Sequence, residues 1–126
     1  MTNHELTILN KVKSVLPFVQ PDERFAGKSD SPLCGLCHPS AVVLYRLLGG
    51  KDRGYKLQKA VDRKGFMHYW VVSASGYILD PTEEQYANFE EVPPYAHGTT
   101  KNASYRMPKA GFNIMSLLTL PQTEPL

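Results

Sequence analysis

The chain has 126 residues, of which 42% are hydrophobic, and its formal net charge is +2. This length predicts one domain, residues 1–126, that can bury a hydrophobic core. The small net charge does not indicate a nucleic-acid partner, and no apolar run approaches the roughly 20 residues of a membrane span. We therefore expect neither a nucleic acid nor a membrane as partner.

The first helix is predicted near the start of the chain, where Thr2 and Glu5 have the spacing of a capping box. The apolar residues that follow recur at helical spacing, so one face can pack on a core. They are Leu6, Leu9, Val12 and Leu16. Pro17 ends this helix, and residues 17–33 form a long predicted loop. A loop of that length is unusual in a compact domain unless it has a function.

A second helix is predicted to open at Pro39, directly after Cys37 and His38. Proline suits a first helical turn, and Gly49-Gly50 suits the C-terminal cap. Nearly every position between them is apolar. A helix that is apolar on all sides belongs in the centre of the fold, and we expect this helix to be buried.

Three strands are predicted next, over residues 55–61, 67–73 and 77–80, with turns between them. From Pro81 onward the chain is rich in Pro, Glu and Tyr, which predicts mostly irregular structure with short helical pieces. Residues 114–120 suit a last short helix or strand. The pattern as a whole predicts an α+β fold.

The two cysteines, Cys34 and Cys37, are too few for a disulfide scaffold. The first 13 residues have neither the apolar core nor the cleavage site of a signal peptide. We therefore expect the cytoplasm, a reducing compartment in which both thiols stay reduced.

Cys37 is the stronger nucleophile of the two by position, because it lies at the predicted start of a helix. A helix N-terminus carries about half a positive charge and unpaired N–H groups. That environment can lower a cysteine pKa from about 8.5 to roughly 3.5–7.5. The same N–H groups can stabilise an oxyanion as it forms.

His68 is the candidate base among the four histidines, because it lies on a predicted apolar strand that is followed by a hairpin. If the turn is centred on Ala74, paired positions sum to 148, so that His68 faces Asp80 directly. A carboxylate beside an imidazole fixes its tautomer and stabilises the imidazolium. Cys37, His68 and Asp80 would then form a nucleophile, base and orienter. A slip of the register by one residue would break this contact.

These residues carry a resemblance to a known superfamily. The segment from Gly35 to Leu48 resembles the nucleophile helix of transglutaminase-like and papain-like cysteine proteins, His68-Tyr69-Trp70 resembles their H-x-W strand, and Asp80-Pro81-Thr82 resembles their D-P-T strand. The segments from Cys37 to Gly50 and from His68 to Tyr86 are also similar to small uncharacterised proteins of bacteriophages and mobile elements. The resemblance covers about half of the chain.

The resemblance implies a papain-like core, in which a buried helix bearing the cysteine packs on a small antiparallel sheet bearing the histidine and the aspartate. It implies acyl chemistry through a thioester, as in a peptidase, a deamidase or a transglutaminase, on an amide or isopeptide bond of a protein or peptide. No cofactor or metal is implied. A side-chain donor often completes the oxyanion hole, and Gln20, upstream of Cys37, is the candidate. For a phage-encoded protein the compartment would be the host cytoplasm.

Three other interpretations use the same cysteines. Residues 34–38 match C-x-x-C-H, the attachment pattern of c-type haem, with axial candidates at Met67, Met107 and Met115, but no export signal accompanies it. Zinc would need Cys34, Cys37, His38 and His68, and no second close ligand pair lies near His68. A redox pair at Cys34 and Cys37 would be expected to follow a βαβ pattern, which the chain lacks.

The alternative to an enzyme is a non-catalytic, phage-type binding or inhibitor protein on the same scaffold, with a host protein as its target. Lys101, Tyr105, Arg106 and Lys109 suggest a basic patch, but Glu90 and Glu91 nearby indicate a mixed solvated surface. The intact set of Cys37, His68 and Asp80 favours the enzyme.

Overall fold

The computed structural model describes residues 1–20, 35–87, 92–100 and 107–119. Four α-helices lie within these ranges: α1 (Asn3–Val15), α2 (Cys37–Leu47), α3 (Glu84–Ala87) and α4 (Lys109–Thr119). Four strands form one antiparallel sheet: β1 (Lys56–Val61), β2 (Met67–Val72), β3 (Ile78–Leu79) and β4 (Thr99–Thr100). The strand order is β3-β2-β1-β4. The predicted α+β class is confirmed, and no helix in the described ranges is long and apolar enough to cross a membrane.

Helix α1 begins with the predicted capping box. The Glu5 N–H donates to Thr2 Oγ1 at 3.0 Å, and the Thr2 N–H donates to Glu5 Oε1 at 2.8 Å. The Tyr55 hydroxyl donates to the other carboxylate oxygen at 2.8 Å, which ties the helix to the segment that enters β1. Hydrogen bonds from the Thr2 N–H and from the Tyr55 hydroxyl hold the pKa of the Glu5 carboxyl below its usual value. Burial first, and then the hydrogen bond to Glu5, raise the pKa of Tyr55 to about 12.

Helix α2 is the centre of the core, as its apolar sequence predicts. The four residues from Ala41 to Leu44 have no exposed surface. Gly49, at φ 102°, takes the left-handed conformation that ends a helix. The helix begins at Cys37 rather than at Pro39, so that Pro39 is the third residue of the first turn. Proline is tolerated there because the N–H groups of the first turn need no intrahelical partner.

The sheet has two different faces. Leu57, Val71 and Leu79 are paired across three strands and belong to the hydrophobic core with the helices. Successive residues of a strand point to opposite faces, so His68 and Trp70 lie on the face away from this core. Both are completely buried. The polar and aromatic groups of the second face are therefore enclosed separately from the helical core.

The hairpin between β2 and β3 has a different register from the predicted one. Val71 pairs with Leu79 and Val72 with Ile78, a shift of two residues. The turn is longer than one centred on Ala74, because the Ser73 N–H donates to the Tyr77 carbonyl at 2.9 Å. A shift of two preserves the face of each side chain, whereas a shift of one would reverse it.

The rest of the chain agrees with the prediction in part. The C-terminal element is a helix, α4, whose Ala110 and Ile114 join the core. Strand β4 falls in a segment that was predicted to be irregular. The predicted loop over residues 17–33 lies mainly outside the described residues.

The capping box makes stability depend on pH. A carboxylate with a lowered pKa stabilises the fold above its ordinary value of 4.5, and this stabilisation is lost as the pH falls through the lowered pKa. We expect Glu5→Gln to lower the free energy of unfolding by about 1 kcal/mol at pH 7. Urea unfolding at a series of pH values should show that the difference shrinks as the pH falls below 4.5 and Glu5 takes up its proton. A difference that is unchanged at pH 3 would contradict this account.

Gly98 allows a close approach between the segment before β4 and the sheet. A Cβ atom at this position would lie 2.5 Å from Trp70 Cζ2 and 2.5 Å from Gln58 Oε1. We expect Gly98→Ala to cost about 1–3 kcal/mol because the segment must move away. The single tryptophan reports this displacement through native-state fluorescence. Ala96→Ser, at an exposed position of the same segment, is the control and should leave the spectrum unchanged.

Candidate active site

His68 and Asp80 form a buried hydrogen bond. His68 Nε2 lies 2.6 Å from Asp80 Oδ2, and the two residues are 0% and 2% exposed. The contact between His68 and Asp80 that the sequence predicted is thus present, although the strand register that produces it is different. In the observed register Asp80 would stand opposite Trp70, so it reaches His68 diagonally from beyond the end of β3.

Asp80 accepts hydrogen bonds from two further residues. The Tyr95 hydroxyl donates to Oδ2 at 2.6 Å, the same oxygen that faces His68. The Thr82 N–H donates to Oδ1 at 3.0 Å, and the Thr82 hydroxyl lies 3.4 Å from the same atom. A buried carboxylate is tolerated only when its oxygens have such partners.

The two nitrogens of the His68 ring have different surroundings. With Nε2 bonded to a carboxylate, the neutral ring carries its proton on Nε2, and Nδ1 has the lone pair. Nδ1 is buried and has no hydrogen-bond partner among the residues that the structure describes. A buried polar atom without a partner requires an explanation, and a role in accepting a proton is one. The ring is thus oriented with a basic nitrogen directed away from Asp80.

Cys37 contacts β2 at the residue before His68, but its thiol makes no hydrogen bond to Nδ1 of the His68 ring. Its Sγ atom is 3.6 Å from the carbonyl oxygen of Met67, the residue before His68. The Phe66 carbonyl accepts from the Asp62 N–H across the hairpin, so the Met67 carbonyl points to the other side, away from β1. Strand β3 ends at Leu79 and leaves this edge open for the thiol. Cys37 is a thiol and not part of a disulfide.

The start of α2 supplies a favourable electrostatic setting for the thiol. Cys37 is the first helical residue, no acidic residue lies in the first turn, and the Leu36 N-cap makes no side-chain cap. The positive end of the helix dipole therefore acts on the sulfur without a competing carboxylate in that turn. Cys37 is 9% exposed, which leaves a small opening to the surface.

Three aromatic rings enclose His68. Tyr86 meets the imidazole edge-on at 4.8 Å between ring centroids, Trp70 stacks at 5.7 Å, and Tyr95 lies at 6.3 Å. Tyr95 also packs edge-on against Trp70 at 5.1 Å. These rings exclude water from the bond between His68 and Asp80, which strengthens its electrostatic component.

Tyr86 links the site to the β1–β2 turn. Its hydroxyl donates to Asp62 Oδ2 at 3.0 Å, while Asp62 Oδ1 accepts from the N–H groups of Lys64 and Phe66. Burial raises the pKa of Tyr86, and the negative charges of Asp62 and then of Cys37 raise it further.

The remaining predicted residues take different places. Gln20 is exposed, and its role as an oxyanion donor stays a prediction. The His38 ring lies 4.4 Å from the ring of Tyr69, whose side chain is on the opposite face of β2 from His68. His38 and His68 therefore do not converge on one site. Cys34, Lys101, Tyr105 and Arg106, which the alternative interpretations use, lie outside the described residues.

Thr82 and Tyr95 differ in whether a sequence pattern predicts their contact with Asp80. Thr82 follows Asp80 by two residues, the spacing at which an aspartate bonds the backbone N–H in an Asx turn, so this contact has a local signal. Tyr95 is 15 residues from Asp80, and no local pattern joins the two.

Comparisons of the chain with protein-family models, with curated proteins and with solved structures found no match. The likeness to transglutaminase-like proteins therefore remains a prediction from three sequence motifs.

Asp80→Asn tests whether the buried carboxylate organises this region. An amide in its place directs an NH₂ group at one of the present donors and leaves that buried donor without an acceptor. We expect a loss of about 1–3 kcal/mol in urea unfolding at pH 7. Asp52→Asn, at an exposed position, is the matched control and should change stability by less than about 0.5 kcal/mol. Similar small losses for both variants would contradict a buried charge network.

Proposed function

We propose that this protein is a cysteine-dependent hydrolase or acyl transferase of the peptidase, deamidase or transglutaminase type. It acts through a thioester intermediate on an amide or isopeptide bond of a protein or peptide. Cys37 is the nucleophile, His68 the general base and acid, and Asp80 the residue that orients His68. The observation that carries this proposal is the buried 2.6 Å bond between His68 and Asp80, which leaves Nδ1 as the basic nitrogen.

The first half of the reaction forms the thioester. His68 Nδ1 takes the proton of the Cys37 thiol, and the thiolate attacks the carbonyl carbon of the substrate, forming an S–C bond. Negative charge moves to the carbonyl oxygen, where the backbone N–H of Cys37 stabilises it. The C–N bond then breaks, and the proton on Nδ1 passes to the leaving amine.

The second half releases the acyl group. Water or an amine attacks the thioester carbon while Nδ1 takes the proton of the attacking group. The C–S bond breaks, and the sulfur leaves as a thiolate paired with the imidazolium. The proton on Nδ1 returns to the sulfur, and the site is restored. Asp80 stays ionised throughout and stabilises the imidazolium in both halves.

The papain-like or transglutaminase-like core belongs to the same proposal. It is supported by the order of Cys37, His68 and Asp80 along the chain, and by the buried helix that starts at the cysteine and packs on an antiparallel sheet. We also propose that the site works without a metal or cofactor, because an imidazole that is oriented by a carboxylate can activate a thiol by itself.

The second candidate function is a binding protein on the same scaffold, with a host protein as target. It is favoured by exposed apolar side chains at the end of the β1–β2 hairpin. Val61, Phe66 and Met67 are 55%, 45% and 41% exposed. Exposed apolar groups that lie together are typical of protein contacts. The two functions differ in the reactivity that they require of Cys37.

The rate of alkylation by iodoacetamide, measured from pH 4 to 10, tests the proposed function. Mass spectrometry separates Cys37 from Cys34, which serves as an internal reference. We expect Cys37 to react as a thiolate near pH 6, well below the ordinary cysteine pKa of about 8.5. His68→Gln should slow the reaction at pH 6 by roughly tenfold or more, because the thiolate then lacks its imidazolium partner.

His97→Ala is the control, because this histidine is exposed and lies outside the site. It should leave the alkylation profile unchanged, and circular dichroism should show that both variants remain folded. If Cys37 reacts only with a midpoint near 8.5 and His68→Gln has no effect, the catalytic proposal is wrong and the binding function gains support.

A further inference from the structure

Asp80 Oδ2 is shared by two donors of different kinds. It accepts from His68 Nε2 at 2.6 Å and from the Tyr95 hydroxyl at 2.6 Å, in a place from which water is excluded. The orientation of Asp80 does not require the second donor, since Thr82 already holds Oδ1. The Tyr95 hydroxyl thus acts on the same oxygen that faces the imidazole.

A donor on a carboxylate oxygen withdraws electron density from it. The two donors compete for the charge on Oδ2, so a stronger bond from Tyr95 weakens the attraction of Asp80 for the proton on Nε2. The imidazolium form of His68 is stabilised by that attraction. The Tyr95 hydroxyl consequently reduces the stabilisation that Asp80 can give to the imidazolium.

We propose that Tyr95 acts on His68 through Oδ2 of Asp80, the oxygen that both residues share, and thereby sets the pH range over which His68 takes up a proton. Its significance for catalysis rests on the proposed function, but its effect on His68 does not. His68, Asp80 and Tyr95 form one continuous set of hydrogen bonds.

The fold keeps Tyr95 in this place by steric means. Tyr95 lies in the short 3-10 turn Tyr95–His97, which covers Trp70. Gly98 follows at once, and its missing Cβ permits contact with the Trp70 ring. Tyr95 is partly buried, and burial first, then the charge of Asp80 and the hydrogen bond to it, raise the pKa of the Tyr95 hydroxyl.

Other titratable groups also surround His68 and Asp80, and they must stay constant in a test. Cys37 approaches from α2, and Tyr86 from α3. Asp62 in the β1–β2 turn acts through the Tyr86 hydroxyl, and Glu83 contributes to raising the pKa of Tyr95. Among these groups, the thiol is the one whose titration would be coupled directly to that of His68.

The test is an NMR titration of the His68 ring carbon Cε1 and its proton, performed in a Cys37→Ser background to remove that coupling. His68→Gln assigns the signal among the four histidines. Tyr95→Phe keeps the ring that packs on Trp70 and removes only the donor. We expect the His68 titration midpoint to move to higher pH by roughly half a unit or more.

Tyr55→Phe is the matched control, because its hydroxyl also donates to a carboxylate, that of Glu5, at 2.8 Å. Both variants should lose stability in urea, whereas the His68 midpoint should move in Tyr95→Phe alone. A second probe retains the hydroxyl. Replacing Tyr95, and no other tyrosine, with 3-fluorotyrosine gives a stronger hydrogen-bond donor, which should move the His68 midpoint to lower pH.

A midpoint that is unchanged or falls in Tyr95→Phe would overturn the proposal, as would a His68 signal that does not titrate between pH 4 and 9 in either protein. If Tyr95→Phe does not fold, the fluorotyrosine protein decides alone, and an unchanged midpoint there overturns the proposal. These results are independent of the alkylation of Cys37. If the Cys37 thiol is unreactive but Tyr95→Phe still moves the His68 midpoint, the proposed enzyme function is wrong and the role of Tyr95 stands.

Discussion

The buried bond between His68 and Asp80 is the constraint on which this half of the structure depends. Neither group can exchange its partner for water, since they are 0% and 2% exposed. Leaving a buried charge without donors costs several kcal/mol, so the segments that bring those donors are held in place with it. Thr82 supplies a backbone N–H from the turn after β3, and Tyr95 a hydroxyl from the segment before β4. One buried, hydrogen-bonded carboxylate thereby organises the β2–β3 hairpin and two connecting segments.

The sheet separates this polar layer from the hydrophobic core. The helices α1, α2 and α4 pack on the face that carries Leu57, Val71 and Leu79, whereas His68 and Trp70 project from the other face. Cys37 joins the two sides because it lies at the first residue of α2, at the edge of β2. Only the short length of β3 makes this possible, since a longer strand would have paired with the Met67 carbonyl that the sulfur now contacts. A rigid helix and a rigid strand are suitable supports for reacting groups that must meet within fractions of an ångström.

Much of this arrangement was predictable because it depends on short-range patterns. The capping box of Thr2 and Glu5, the buried helix that ends at Gly49, and the strands β1 to β3 were all anticipated to within two residues. The contact between His68 and Asp80 was anticipated from a register that was wrong by two positions. The error was harmless because side chains alternate with a period of two, so a shift of two leaves both residues on one face. The register differs because the turn between Ser73 and Tyr77 is longer than predicted. No propensity rule distinguishes the hydrogen bonds of this turn in advance.

The amino-acid sequence by itself determined helices α1 and α2, strands β1 to β3 and the identity of the acidic, basic and thiol groups, because capping, periodicity and turn chemistry act over a few residues. The tertiary structure alone decided that Tyr95 shares an oxygen with His68, that Nε2 rather than Nδ1 faces the carboxylate, and that the thiol lies against the Met67 carbonyl. Each of these contacts joins segments 12 or more residues apart. Such contacts depend on how whole elements pack, and the packing is set by burial of the core rather than by any local pattern.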